Sequence, residues 1–170
     1  GNFETAITAS SRVLAVQGQV VPATNIDVRL WAELENGQFI EGESAIGKAP
    51  SPIVRIGCSP SQPPALPRAI EAIANADLIL LGPGSLYTSL LPNLLVPELV
   101  DSIQRSSAPK LYICNLMTQP GETDDLDVAG HLRAIEAHLT GLGITKRLFN
   151  SILAQGAIEP SPLVDYYRER

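Results

Sequence analysis

Residues 77–89 read DLILLGPGSLYTS, a short apolar run that passes directly into a polar loop with two glycines. Residues 110–124, KLYICNLMTQPGETD, repeat this pattern. Short apolar runs that end in turn-forming residues are typical of strands buried on both faces, as in parallel sheets covered by helices. The segment from Val96 to Ser106 between them is long enough to form a crossover helix. We therefore predict an α/β fold with parallel βαβ units.

The beginning of the chain predicts antiparallel β structure instead. Residues 27–34 alternate between apolar and polar side chains, and the dipeptide Asn36-Gly37 follows almost at once. This dipeptide strongly favours the turn of a β-hairpin, so residues 38–43 are the predicted return strand. A second alternating run predicts a further strand over residues 12–21, after a helix that ends near Ser11.

Three segments follow from these patterns. Residues 1–48 form the antiparallel β segment, residues 49–67 a proline-rich connection with one strand over 53–57, and residues 68–170 the βαβ segment. We expect the strands of both kinds to share one mixed sheet in a single α/β domain. Within residues 65–170, the predicted strands are 78–81, 111–114 and 148–153. The predicted helices are 65–75, 96–106, 128–142 and 160–170.

Composition narrows the class of protein. The 170 residues are 45% hydrophobic and 18% charged, which is typical of an ordered globular domain. The net charge of −6 argues against general nucleic-acid binding, which requires a clustered basic face. No apolar run reaches the roughly 20 residues of a membrane-spanning helix. Cys58 and Cys114 have no metal-ligand spacing, and we interpret Cys114 as a small apolar packing residue in a reducing, cytoplasmic protein.

The loop after the first strand contains glycines and hydroxyl groups. Gly82 and Gly84 do not complete a dinucleotide-binding or P-loop motif, so they serve either a ligand or the turn itself. Ser85, Thr88 and Ser89 follow the strand end, where they could bind a ligand or cap a helix. Because ligands bind where such loops leave neighbouring strands, we predict a phosphorylated small molecule or nucleotide here.

The loop after the second strand offers amide, hydroxyl and carboxylate groups. Asn115 can both donate and accept, and could contact a base or a sugar. Asp127 or a neighbouring acid is expected to cap the following helix, although Asp124, Asp125 and Asp127 could instead hold Mg²⁺. His131 and His138 lie two turns apart on that helix, too far for one metal, and we expect partly buried surface positions. No motif in the chain specifies a nucleophile.

Both loops resemble those of a known family. The runs ADLILLGPGSLYTS (76–89), PNLL (92–95) and CNLMTQPGET (114–123), and upstream VLAVQGQVVPAT (13–24), resemble the YvcK-type gluconeogenesis factors. These belong to the CofD-like group, named for 2-phospho-L-lactate transferase. The similarity extends over nearly the whole chain, and the two long motifs occur in the family's order.

The resemblance implies a three-layer α/β/α fold and a cytoplasmic bacterial protein. Members of this branch are linked to growth on gluconeogenic carbon, cell shape and cell-wall synthesis, and to binding of UDP-sugars. The alternative is the transferase branch, which moves a phospholactyl group from a nucleotide diphosphate donor to a deazaflavin, with Mg²⁺. The ligand-lining residues that the resemblance and the loop pattern together predict are Thr24, Gly82, Gly84, Ser85, Thr88, Asn115, Thr118 and Gln119.

The family begins with a strand and a glycine-rich loop that this sequence lacks. We therefore interpret the chain as the later portion of a longer protein, and expect it to bind nucleotide weakly or not at all by itself. The exposed edge of the hairpin over residues 27–43 could pair with a second copy. The geometric hypothesis is that Ser85 and Thr118 face one cleft at the same edge of the sheet.

Overall fold

A computed structural model of the protein describes residues 3–15 and 17–156. The helices over Pro67–Ala74 and Pro97–Arg105 each begin with proline, whose fixed φ suits the first turn of a helix. The elements in chain order are α1 (Phe3–Val13), β1 (Arg29–Leu34), β2 (Phe39–Glu41), α2 (Glu43–Ile46), β3 (Ile53–Ser59), α3 (Pro67–Ala74), β4 (Ile79–Leu81), a π-helical turn (Leu86–Leu90) continuing as α4 (Leu91–Leu94), α5 (Pro97–Arg105), β5 (Lys110–Ile113), α6 (Val128–Gly141) and β6 (Ser151–Leu153).

The first sheet is antiparallel, with strand order β2-β1-β3. The predicted hairpin is confirmed, because Ala32 of β1 pairs with Ile40 of β2 and Gly37 in the turn has a φ of +80°. The predicted strand in the proline-rich segment is also confirmed, and as β3 it pairs along the other side of β1. The proline-rich segment therefore contributes a full strand to this sheet.

The second sheet is parallel, with strand order β4-β5-β6. Leu81, Tyr112 and Ile152 lie side by side across its three strands. The α/β class with βαβ units and an antiparallel hairpin is therefore confirmed. In the described part of the chain, however, the two kinds of strand form two sheets and not one mixed sheet.

A single hydrophobic core joins the two sheets. It contains Ala32 and Leu34 from β1, Ile56 from β3, Tyr112 from β5 and Ile135 from α6, all nearly inaccessible to solvent. The sheets therefore share apolar side chains without sharing backbone hydrogen bonds. A smaller cluster packs α3 against α5 through Leu66, Ala69, Val96 and Leu99.

Two predictions of local structure are wrong. The strand expected over residues 12–21 is absent from its described residues, because α1 continues to Val13 and an irregular segment follows. Val13 and Leu14 are exposed, so the apolar side chains of this alternating run do not pack against a core.

The expectation of burial on both sheet faces also fails, since Leu80 of β4 is 51% exposed while Tyr112 is fully buried. The helix predicted over residues 160–170 lies outside the described residues.

Candidate functional site

The two polar loops lie together at one edge of the parallel sheet. β4 and β5 are neighbouring parallel strands, with Leu81 beside Tyr112, so their carboxyl ends point the same way. The loop after β4 leads into the helical segment that starts at Leu86, and the loop after β5 leads towards α6. Chain order and strand pairing therefore place the predicted site residues of these loops side by side.

The side chain of Asn115 joins the two loops directly. Its Oδ1 accepts a hydrogen bond from the backbone N–H of Gly84 at 2.9 Å, and its Nδ2 donates to the carbonyl of Gly84 at 2.8 Å. This reciprocal pair resembles the pairing of two strands, and it lies two residues beyond the end of β5. Asn115 thus uses one of its two N–H donors and one acceptor lone pair to hold the backbone of Gly84 in position.

A chain of polar side chains continues this connection. Ser85 Oγ donates to Gln119 Oε1 at 2.7 Å, and Gln119 Nε2 donates to Glu122 Oε1 at 2.9 Å. The same carboxylate oxygen accepts from Thr88 Oγ1 at 2.8 Å, and Glu122 Oε2 accepts from the backbone N–H of Tyr87 at 3.2 Å. We call Ser85, Thr88, Gln119 and Glu122 the polar network. It holds the first loop and the start of its helix against the second loop.

Glu122 is the centre of the polar network, although it is not among the ligand-lining residues predicted from the sequence. Its side chain is only 5% exposed, and a buried carboxylate is tolerated only when hydrogen bonds replace its water. The backbone N–H groups of Glu122 and Thr123 both donate to the carbonyl of Gln119, which forms the turn that points the carboxylate inwards. The sequence signal for this role was the position of Glu122, directly after Pro120-Gly121 and three residues after Gln119.

Gly82 and Gly84 differ in why a side chain is excluded. Gly82 has a φ of +90°, and a Cβ there would collide with the carbonyl oxygen of Ile113 on the neighbouring strand. A Cβ on Gly84 would approach Leu90 Cδ2 at 3.2 Å, a tight contact with a flexible side chain. Gly82 is therefore required by the turn and by the close approach of β5. This favours a role in the turn itself over a role in ligand binding.

Helix capping, the alternative role for the hydroxyl residues, is not what their side chains do. Ser85 precedes the helix but makes no capping hydrogen bond, because its hydroxyl donates to Gln119. The carboxylate of Glu122 accepts from the first turn in its place. At α6 the predicted acidic cap is confirmed, since Asp127 Oδ1 accepts from the N–H of Gly130 at 2.6 Å.

Thr118 and Thr24 stand apart from the network. Thr118 is exposed next to Gln119, and its side chain makes no hydrogen bond within residues 3–15 and 17–156. Thr24 Oγ1 accepts from the N–H of Ile26 at 3.1 Å, a local turn, and no hydrogen bond to either loop is found in the same ranges. The structure thus brings together Gly84, Ser85, Thr88, Asn115 and Gln119 with Thr118 beside them, but not Thr24. Their role in ligand binding stays a prediction.

The histidines are core residues, and the expectation of partly buried surface positions is wrong. His131 is 3% exposed and shares a hydrogen bond with the hydroxyl of Tyr112 at 2.9 Å. His138 Nδ1 contacts the carbonyl of Ala134 at 2.7 Å, so it carries the proton, and Nε2 accepts from the N–H of Ile56 at 2.9 Å. Burial lowers the pKa of both imidazoles, and both serve packing.

Other titratable groups near the site are held neutral by burial. Desolvation raises the pKa of Tyr87, and the carboxylate of Glu122 raises it further. Desolvation also raises the pKa of the Cys114 thiol at the end of β5, which fits the predicted packing role. Among the residues the structure describes, no group of three histidine, cysteine or acidic side chains could hold a metal ion.

Two cavities of different size lie beside the polar network. A cavity of about 220 Å³ lies between Tyr87, Glu122 and Gly121 on one side and residues 49–53 on the other. A wider hollow of about 550 Å³ includes Thr88, Pro92 and Arg29. Pockets that enclose drug-sized ligands measure about 300–1,000 Å³, so the first cavity could take only part of a nucleotide.

No helix in the described ranges is long and apolar enough to cross a membrane.

Comparison with known proteins identifies relatives along the whole chain. A protein of a Nostoc species is 59% identical over 153 residues, which are 90% of this chain and 33% of that protein. The gluconeogenesis factor of Bacillus subtilis is 48% identical over 139 residues, which are 82% of this chain and 44% of that protein. The chain thus spans one third to less than one half of the length of these relatives.

A solved structure confirms the fold. The crystal structure of a member of the UPF0052 family from Bacillus halodurans superposes with a TM-score of 0.87 at 44% identity, covering 99% of this chain and 53% of that one. Residues 1–170 match the family described as 2-phospho-L-lactate transferase CofD. The chain therefore belongs to the CofD family and is similar to the gluconeogenesis factors.

Proposed function

We propose that the full-length protein is a cytoplasmic regulatory factor that binds a nucleotide-sugar and is needed for growth on gluconeogenic carbon. Support comes from the gluconeogenesis factors among its relatives, which are 48% identical in Bacillus subtilis and 49% identical in Halalkalibacterium halodurans. A role in cell shape and cell-wall synthesis belongs to the same proposal. It rests on the resemblance of the two loops.

The observation that carries the proposal is the junction of the two loops, where Ser85 and Gln119 meet at 2.7 Å. Ligands of open α/β sheets bind at this edge, next to the carboxyl ends of the strands. Asn115, Gln119 and Glu122 fix the backbone, so the exposed Thr118 hydroxyl and the outer lone pairs of the network are presented rigidly. Hydroxyl, amide and carboxylate groups held in fixed positions suit the hydroxyls of a sugar or the edge of a base.

The charge of the loops indicates which part of the ligand they contact. Residues 82–94 and 114–127 contain no lysine or arginine, and the second range contains four acids. A diphosphate held here would rely on backbone N–H groups or on basic groups from the rest of the full-length protein. We therefore assign the loops to the sugar or base end of the ligand.

Calorimetry of the full-length protein with UDP-N-acetylglucosamine tests the proposal. Thr118→Ala removes an exposed hydroxyl that the protein itself does not use, so folding is preserved while a ligand contact is lost. The expected result is roughly a 2- to 10-fold weaker affinity, the effect of one hydrogen bond. Thr145→Ala, an exposed threonine away from both loops, is the matched control and should leave the affinity unchanged.

Two outcomes would contradict the proposal. If no heat of binding is measured at millimolar UDP-sugar, the protein does not bind this class of ligand. Wild-type affinity in Thr118→Ala would contradict the assignment of the ligand contact to these loops, and would favour a scaffold role for them in packing or self-association. Pairing of two copies through the edge strand β2 would be the form of self-association to examine first.

The family description supports a second candidate, transfer of a phosphoryl-linked group from a nucleotide diphosphate donor to a deazaflavin. This reaction would use Mg²⁺, for which the described residues offer no cluster of three ligands. Its acidic ligands would therefore have to come from the rest of the full-length protein. Product formation from a deazaflavin and an activated phospholactate donor would favour this candidate over the regulatory one.

A further inference from the structure

A second polar cavity lies at the start of the chain, away from the polar network. It measures about 310 Å³ and is formed by α1, the segment that follows α1 and the first turn of α3. We call it the arginine cavity. Among the described residues that line it, two are arginines and none is acidic; they are Thr8, Ser11, Arg12, Ala15, Gln17, Gly18, Gln19, Val20 and Arg68. It shares no residue with the two cavities beside the polar network.

The end of α1 explains how the arginine cavity forms. Ala15 has a φ of +51°, and its N–H donates to the carbonyl of Arg12 at 3.1 Å, so the chain leaves the helix at this point. Residues 17–20 then line the same cavity as Thr8 and Ser11 of α1, which means that the segment turns back towards the helix. These residues belong to the run 13–24, for which the candidate site gives no role.

Arg68 is held in position by two contacts. Its Nη2 donates to Gln19 Oε1 at 2.8 Å, and its Nη1 lies 3.6 Å from Glu4 Oε1. A guanidinium has five N–H donors, so these two contacts leave others available to a ligand. Because the group is already oriented by the protein, little conformational freedom is lost when it binds.

Arg12 brings a second positive charge to the arginine cavity. It is exposed, and its side chain makes no hydrogen bond or ion pair within residues 3–15 and 17–156. A cation in the last turn of a helix is favourable by itself, which is the ordinary explanation of Arg12. That explanation does not extend to Arg68, which comes from a different helix and lines the same cavity. A cleft lined by charges of one sign attracts ions of the opposite sign.

The groups of the arginine cavity suit a phosphate. Arginines bind phosphate oxygens with paired, charge-assisted hydrogen bonds, and the hydroxyl of Ser11 offers a further donor. Two guanidinium groups from different helices suit an anion with more than one charge, which a phosphate provides and a single carboxylate does not. The volume lies at the lower end of the roughly 300–1,000 Å³ of ligand pockets, and so suits a diphosphate or a small phosphate ester.

We propose that the arginine cavity binds a phosphate-bearing anion through Arg12 and Arg68. Two sources offer this chemistry, a free phosphate compound and the diphosphate of a nucleotide-sugar. The proposal concerns the phosphate group that they share, and the experiment separates the sources.

Calorimetric titration of the full-length protein with inorganic pyrophosphate tests the proposal. Arg12→Ala removes an exposed cation that no described side chain uses, so folding is preserved. We expect the affinity for pyrophosphate to fall roughly 10-fold or more, the effect of losing a charge-assisted hydrogen bond. Arg68→Lys keeps the charge but loses the planar fork, and should weaken binding less. Arg133→Ala removes an exposed arginine of α6 outside the cavity, and as the matched control should leave the affinity unchanged.

The outcomes separate the proposal from its alternatives. Weaker binding in Arg12→Ala with the control unchanged supports it. Absence of heat from the wild-type protein at millimolar pyrophosphate overturns it, and so does wild-type affinity in Arg12→Ala, since the anion would then bind elsewhere.

Repeating the titration with saturating UDP-N-acetylglucosamine identifies the source of the phosphate. Undiminished pyrophosphate binding assigns the arginine cavity to a free phosphate compound, whereas competition assigns it to the diphosphate of the nucleotide-sugar. Pyrophosphate is titrated without any sugar ligand in the first experiment, so failure of UDP-sugar binding and failure of this proposal are separate results.

Discussion

Val54 in the antiparallel sheet and Leu80 in the parallel sheet are almost equally exposed, yet the same exposure has a different meaning in each. Val54 lies on β3, whose neighbouring residues Ile53 and Ile56 already enter the core. Leu80 lies on β4, where no residue reaches full burial. An antiparallel sheet commonly has one face exposed to water, whereas a parallel sheet almost always has packing elements on both faces.

The two regions also differ in what holds their turns. The hairpin of the antiparallel sheet depends on local backbone bonds, such as that from the N–H of Gly37 to the carbonyl of Leu34 at 2.9 Å. The turn after β4 depends on contacts with the distant loop after β5, including the Gly84–Asn115 pair. Substitutions should therefore be tolerated better in the first region than in the second.

The largest expected difference is between Gly82→Ala and Gly37→Ala. Both glycines have positive φ, +90° and +80°, so each substitution introduces roughly 1–2 kcal/mol of backbone strain. Only at Gly82 would the added Cβ also strike the carbonyl of Ile113, while nothing lies within 4 Å at Gly37. We expect Gly82→Ala to lower the free energy of unfolding of the full-length protein by about 3 kcal/mol or more. Denaturant titration measures both variants, and equal losses would contradict this account of the turn.

An intermediate effect is expected from pH, through the contact of His138 with the antiparallel sheet. His138 Nε2 accepts from Ile56 of β3, and a protonated ring could not accept this bond. The pKa of His138 is lowered from 6.5 in the folded protein, chiefly by burial, with the charge of Arg55 adding to it. Tyr87 contacts the ring with its edge, and burial keeps its hydroxyl neutral in this pH range.

The sign follows from proton binding. Well above pH 6.5 the imidazole is neutral in both states, and the contribution of His138 to stability is fully present. As the pH falls below 6.5, the unfolded chain binds a proton that the folded chain does not, so the free energy of unfolding decreases by at most about 1.4 kcal/mol per pH unit. The stability lost in His138→Gln should therefore be smaller at pH 5 than at pH 7.5. A loss independent of pH would show that His138 does not titrate in this way.

The smallest effect is expected on the outer face of the antiparallel sheet. Arg55 pairs with Glu33 at 2.8 Å and lies over the ring of Trp31, but its side chain is 59% exposed. Arg55→Ala should cost less than about 1 kcal/mol, because exposed ion pairs and cation–π contacts are weak. Arg105→Ala, which removes an exposed helical pair with Asp101, is the control. A much larger loss for Arg55→Ala would mean that this face is also covered in the full-length protein.

Local patterns were sufficient for the elements that depend on neighbouring residues. The alternation of residues 27–34 followed by Asn36-Gly37 predicted the hairpin, and the acids before α6 predicted its cap. The run of residues 12–21 had the same alternation but no strand beside it, so it predicted a strand that does not form in the described residues. The alternation of side chains indicates which face of a segment could be buried. The segment forms a strand only where a neighbouring strand and a core pack against it.

The candidate site shows the same division. The loops that follow β4 and β5 were recognisable from sequence, and with them Gly84, Ser85, Thr88, Asn115 and Gln119. The central position of Glu122 was not, because its partners Thr88 and Tyr87 are more than thirty residues away in the chain. The histidines of α6 were misjudged for the same reason, since a ring nitrogen of each bonds to a residue on another element, His131 to Tyr112 and His138 to Ile56.

The amino-acid sequence by itself determined strands β1 to β6, helices α1, α3, α5 and α6, the hairpin turn and the two loops, because these follow from side-chain period and turn chemistry within a few residues. Only the tertiary structure decided that the strands form two sheets around one core, that Glu122 links the loops, and that one face of the parallel sheet is open. Those features depend on contacts between residues far apart in the chain, and on how much of an apolar surface other elements cover.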